Sequence, residues 1–197
     1  DGQNITFLQD YRRARMIGRL FQDPLKGTAP NMTIEENLSM AYLRGAKKGL
    51  GGRRQNAAFF RERLAELGLG LEDRLKTKMG LLSGGQRQAV TLLMATIVPP
   101  KLLLLDEHTA ALDPGTAEKV IQLTRQIVQR HHITTMMITH NMQQSLEMGN
   151  RTILMDQGRI ALDLQGPQRQ ELTVEKLLAL FRANSGQEGD NDRILLS

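Results

Sequence analysis

The chain has 197 residues, 40% of them hydrophobic and 24% charged, which suits one substantial domain or a domain with a subdomain. It has no cysteine, which excludes disulfides and thiolate metal sites, and no apolar run approaches the roughly 18 residues of a membrane-spanning helix. The net charge of +5 permits contact with nucleic acid or an acidic membrane face, but the basic residues are scattered as on a solvated surface, and 4% aromatics without Trp argue against base-stacking platforms.

Thr33 with Glu36 three residues later is a capping-box pattern. It predicts a helix carrying Ile34, Leu38 and Ala41. Glycines at 49, 51 and 52 break that pattern, and a second helix carries Ala57, Phe60, Leu64 and Leu67, closed by Gly68. Val90, Leu93, Met94 and Ile97 have helical spacing, and Pro99-Pro100 stops that helix. Residues 101–106 form a short apolar run ending in acid, which reads as a strand buried on both faces. Asp113 is a predicted N-cap with Pro114 at the first helical position, opening a stripe of Ala117, Val120, Ile121, Thr124, Ile127 and Val128. Residues 133–139 are β-branched and apolar, hence a second strand. A short helix at 142–149 follows, then a hairpin turning at Asp156-Gln157-Gly158. The last helix, 173–181, carries Val174, Leu177, Leu178 and Phe181.

Strand, crossover helix and strand imply a mostly parallel α/β sheet. The expected layout is a core of residues 1–23 and 99–183, a helical subdomain at 24–98, and a flexible polar tail at 184–197.

Three segments carry chemistry. Leu82-Ser83-Gly84-Gly85-Gln86 stands directly before a helix. Its glycines allow close backbone approach, and the first helical N–H groups favour an anion such as phosphate. A plain Ser-capped helix after a Gly turn explains the same residues. Four leucines then lead into Asp106-Glu107. They deliver two acids to the C-terminal edge of the sheet, where α/β ligand sites form. Strand alternation would send the carboxylates in different directions, one to a hydrated Mg²⁺ and one to a water. The plainer reading is a turn cap and a solvated acid. His140 follows the 133–139 strand and would share that edge, although a lone His there is more often structural or solvated.

Together these segments resemble the nucleotide-binding domain of ABC transporters. Residues 82–86 match the signature motif, and 101–107 fit the Walker B segment with its following glutamate. Ala111-Leu112-Asp113 resembles the D-loop, with Ala110 where serine is usual. Thr139-His140 resembles the switch histidine, and Phe21-Gln22-Asp23-Pro24 the Q-loop.

The resemblance implies a P-loop NTPase-like, RecA-like core with an inserted helical subdomain, and ATP and Mg²⁺ as ligands. Asp106 would position Mg²⁺, Glu107 would act as base or water-positioning residue, and His140 would contact the γ-phosphate. Gln22 would touch Mg²⁺ or the water. Ser83, Gly84, Gly85, Gln86 and Asp113 would close over ATP held by a second nucleotide-binding domain, in a head-to-tail homodimer. Permease subunits and a solute-binding protein are the other implied partners, at the cytoplasmic face of the cell membrane, with no nucleic acid expected.

The phosphate-loop pattern Gly-x-x-x-x-Gly-Lys-[Ser/Thr] does not occur in the chain, and Gly45-Ala46-Lys47-Lys48-Gly49 does not fit it. The N-terminal strand, P-loop and helix are therefore expected to be missing. These 197 residues alone should hydrolyse ATP negligibly, and the 133–139 strand should show an open edge or pair with another chain. The competing expectations are a non-transport ABC ATPase acting on nucleic acid or ribosomes, and an inactive fragment that only binds partners.

Overall fold

A computed structural model describes residues 2–45 and 53–185. The glycines at 49, 51 and 52 and the tail beyond 185 lie outside the described residues. The chain divides into two units, Asp1–Ile138 and Thr139–Ser197.

The first unit contains α1 (Asp10–Arg13), β1 (Ile17–Leu20), α2 (Ile34–Gly45), α3 (Arg53–Ala65), α4 (Gly84–Thr96), β2 (Leu102–Asp106), α5 (Pro114–Arg130) and β3 (Thr134–Ile138). The strands form one parallel sheet in the order β1-β2-β3. The register sets Leu20 beside Leu105 and Asp106 beside Ile138. The Thr33–Glu36 capping box forms: Glu36 N–H donates to Thr33 Oγ1 at 3.2 Å, and the Glu36 carboxylate accepts from Thr33 N–H at 2.7 Å.

Two apolar clusters hold this unit. One joins α2, α3 and α4 through Ile34, Leu38, Phe60, Leu64, Val90 and Leu93. The other lies under the sheet, where Leu92 and Ala95 of α4 meet Leu20, Leu103 and Leu105. So α4 presents one face to each cluster. Gly18 of β1 makes the second contact feasible: a Cβ there would sit 2.9 Å from the Ala95 carbonyl oxygen.

The sequence reading has β2 buried on both faces. Leu103 and Leu105 are indeed fully buried, whereas Leu102, Leu104 and Asp106 are only half-buried. The reason is that residues of α4 and α5 gather against the same sheet face, that of Leu103 and Leu105. On β3, Met136 and Ile138 occupy the opposite face at 57% and 52% exposure, so that side of the sheet is the more open one. Among the described residues β3 pairs only with β2.

The second unit contains α6 (Met142–Glu147), β4 (Arg151–Asp156), β5 (Arg159–Gln165), α7 (Pro167–Gln170) and α8 (Val174–Ser185). β4 and β5 are antiparallel, with Asp156 opposite Arg159. Gln157 and Gly158 between them both have positive φ, 45° and 77°, as a tight two-residue hairpin requires. Arg169 is buried and ties the unit together. Its guanidinium donates to Thr152 Oγ1 at 2.9 Å and to the carbonyls of Ser145 and Leu146 at 3.1 and 2.6 Å. These last bonds satisfy carbonyls at the C-terminal end of α6 that have no partner within the helix.

Candidate functional site

Two groups of predicted site residues come together in the first unit. The first lies at the C-terminal edge of the sheet. Asp106 ends β2 on the open face, the side shared by Arg19 of β1 under the sheet register. Arg19 donates to Asp106 Oδ2 at 3.3 Å and lies over the Phe21 ring, 4.5 Å from its centroid.

Glu107 leaves the strand. Its φ is 44°, in the left-handed region, where a non-glycine residue costs about 1–3 kcal/mol and persists only when its surroundings enforce it. The two carboxylates meet different partners, and Glu107 lies in the turn past the end of β2 and not on the strand as expected from sequence. Glu107 N–H donates to the Ile138 carbonyl at 3.0 Å, and the Glu107 carbonyl accepts from Ala110 N–H at 3.0 Å. Gln22, just past β1, donates from Nε2 to Glu107 Oε2 at 3.3 Å. Residues 85 positions apart are thus joined by the pairing of β1 with β2.

The second group lies where α4 and α5 begin. Ser83 caps α4 with a full capping box: Gln86 N–H donates to Ser83 Oγ at 3.2 Å, and Ser83 N–H donates to Gln86 Oε1 at 3.3 Å. The cap uses acceptor atoms on both side chains. The Ser83 hydroxyl proton and the Gln86 amide N–H groups remain donors. The cap and an anion site are therefore compatible at the same residues.

Gly84 lies against Leu112, with a Cβ position 3.4 Å from Leu112 Cδ2. Gly85 is buried, and a Cβ there would fall 1.9 Å from Thr116 Cγ2. Packing against the Thr116 side chain thus disfavours any side chain at that position. Asp113 caps α5 by accepting from Thr116 N–H at 3.0 Å. Hydrogen bonds from the Thr116 side chain and backbone hold the Asp113 carboxyl below the usual carboxylate range.

His140 belongs to the second unit and is exposed. It sits in the turn that opens α6, where Asn141 N–H donates to Thr139 Oγ1 at 3.1 Å and Asn141 caps the helix.

The sequence reading missed two residues of the first unit. Arg19 is a charged residue in a short strand whose pattern is weak, and its contact with Asp106 depends on the sheet register. His108 follows the acid pair directly, yet its ring is 2% exposed. A titratable residue next to two acids is the signal that could have drawn attention to it.

The donors near Asp106 are hard oxygens, those of the Asp106 and Glu107 carboxylates and the Gln22 amide. Among the described residues no group of three or more His, Asp or Glu side chains could enclose a metal ion. Such a set fits a cation that keeps waters and takes further oxygens from a bound phosphate.

A family model described as ABC transporter matches residues 1–110. The tyrosine transport ATP-binding protein of Clostridioides difficile is 44% identical over 185 residues, covering 92% of this chain and 72% of that protein. The phosphate import ATP-binding protein PstB 2 of Mycobacterium tuberculosis is 36% identical over 178 residues, covering 89% and 61%. The chain thus spans between three fifths and three quarters of these curated relatives.

Among solved structures, a dimeric ATP-binding cassette in a post-hydrolysis state bound to ADP and Pi superposes with a TM-score of 0.70 at 27% identity, covering 84% of this chain and 71% of that one. The protein cbiO1 of Clostridium perfringens, part of the ABC transporter complex cbiONQ, shares the fold with a TM-score of 0.71 at 21% identity, covering 91% and 66%. On the ordered motifs, the parallel sheet that presents them and these matches, the chain belongs to the ABC transporter ATP-binding family.

Proposed function

We propose that the chain is the ATP-hydrolysing part of an importer-type ABC transporter. The observation that carries this reading is the Gln22–Glu107 contact beside Asp106 at the sheet's C-terminal edge. Asp106 and Gln22 would hold Mg²⁺, which supplies charge neutralisation on the phosphates when bound. The Glu107 carboxylate orients the attacking water and accepts its proton as the γ-phosphoryl group is displaced. Gln22 steadies that carboxylate and links it to the helical subdomain that follows. His140 contacts the γ-phosphate.

Ser83, Gly84, Gly85, Gln86 and Asp113 act on the nucleotide of a second copy in a head-to-tail dimer. The donors left over by the Ser83–Gln86 cap support that role. Residues 24–98 form the subdomain that docks a permease subunit, with 1–23 and 99–183 as the ATPase core. The membrane complex places the chain at the cytoplasmic face of the membrane and serves a solute-binding protein. Among the described residues no helix is long and apolar enough to cross a membrane.

These 197 residues contain no phosphate-loop lysine pattern, and alone they turn over ATP negligibly. Sedimentation of the ATP-bound subunit tests the dimer. ATP should convert monomer to dimer, and Ser83→Arg should prevent it. A subunit that binds ATP and stays monomeric, or dimerises equally well with Ser83→Arg, would rule out action of the signature across two copies.

A further inference from the structure

His108 is used by none of the roles above, yet its placement is specific. The ring is buried, and Nε2 lies 3.2 Å from Thr124 Oγ1 on α5. The Thr124 hydroxyl donates its proton to the Val120 carbonyl at 2.7 Å. With that proton engaged, the Thr124 oxygen is left as an acceptor, which matches the His108 tautomer that carries its proton on Nε2. Thr124 is fully buried and lies about three helical turns from the Asp113 end of α5, so the acceptor is rigid.

The hydrogen bond lies one residue from Glu107, whose left-handed backbone must be enforced by its neighbours. Glu107 N–H to Ile138 and Ala110 N–H to Glu107 clamp that residue itself. The His108 bond pins the next residue to α5. Without it, the turn between β2 and α5 loses its tie to α5, and the Glu107 carboxylate is held less firmly by the bonds that remain.

We propose that His108 is a positioning residue: its Nε2–H···Thr124 hydrogen bond anchors the turn after β2 to α5 and so fixes the direction of the Glu107 carboxylate. The proposal rests on the reading of Glu107 as the group that orients the attacking water.

The test compares His108→Leu, His108→Gln and Thr124→Val in the assembled transporter. Leu fills the space without a donor, Gln offers an N–H at about the reach of Nε2, and Val removes the acceptor while keeping the shape. The readouts are kcat and KM for ATP, the melting temperature, and the imidazole nitrogen NMR signals of His108. Displacement of a catalytic group by about 1 Å costs on the order of 100-fold in rate. His108→Leu and Thr124→Val should therefore lower kcat by roughly 10- to 100-fold with KM within about twofold of wild type. His108→Gln should restore most of the loss, and the wild-type ring should show a proton on Nε2.

A proton on Nδ1 would overturn the proposal, as would a His108→Gln enzyme no faster than His108→Leu at equal melting temperature. Turnover indifferent to Glu107→Gln would mark failure of the underlying reading of the acid. Turnover that needs Glu107 but ignores His108→Leu would mark failure of this inference alone.

Discussion

A methyl group added at Gly85 would fall 1.9 Å from Thr116 Cγ2, against about 3.5–4.0 Å for a comfortable carbon–carbon contact. The starts of α4 and α5 would have to separate by the difference, or Thr116 would have to leave its place. Overpacking of this kind costs about 1–3 kcal/mol. Thr116→Ser removes the offending methyl and keeps the hydroxyl. The remaining neighbours of the new Cβ would then be Thr116 Cβ at 3.4 Å and Oγ1 at 3.8 Å, both ordinary contacts. Gly85→Ala should therefore destabilise the first unit strongly, Thr116→Ser weakly, and the double variant far less than their sum. Urea unfolding of the four proteins gives the coupling energy, expected at about 1–2 kcal/mol. Additive effects within about 0.4 kcal/mol would refute the packing argument and leave a nucleotide contact as the sole reason for glycine.

Other variants probe separate parts of the structure. The folded pKa of His108, about 4, is lower than its ordinary 6.5, so the unfolded chain takes up a proton that the folded chain refuses. The stability this contributes is complete above pH 6.5 and falls as the pH drops toward 4. The loss is up to about 3 kcal/mol, and His108→Gln should flatten that fall in urea titrations at pH 7 and pH 4.5. Arg169→Met should cost about 2–4 kcal/mol in the second unit, because Thr152 and two α6 carbonyls lose a charged donor. Amide exchange should speed up across residues 142–152 and stay unchanged in β2. Asn37→Ala should cost about 2–3 kcal/mol in thermal unfolding. That buried side chain accepts from Ala29 N–H at 2.8 Å and donates to the carbonyls of Ala29 and Thr33 at 3.1 and 2.9 Å.

Local rules made α4, β2 and α5 readable in advance. Their signals lie inside each segment: Ser83 and Gln86 three apart, a run of leucines, Asp113 before Pro114. The Gln157-Gly158 hairpin is legible for the same reason. β1 announces nothing, because Ile17-Gly18-Arg19-Leu20 breaks its apolar alternation with residues that matter only in the tertiary structure. Gly18 admits the Ala95 carbonyl, and Arg19 reaches Asp106.

The site follows the same division. The acid pair and the glycines are visible as sequence, and the family resemblance singles out Gln22. Its contact with Glu107, however, depends on strand register across 85 residues. The left-handed turn at Glu107 and the burial of His108 have no sequence marker, since both arise from how the β2–α5 connection packs on α5.

The most direct test of the account is ATP hydrolysis by the assembled transporter with Glu107→Gln. The variant keeps the shape of Glu107 and removes the group that accepts the proton of water. Phosphate release should fall by roughly 100-fold or more, while ATP still binds and the dimer it closes accumulates. Phosphate release at the wild-type rate, with ATP bound equally well, would contradict the central claim that Glu107 orients the attacking water.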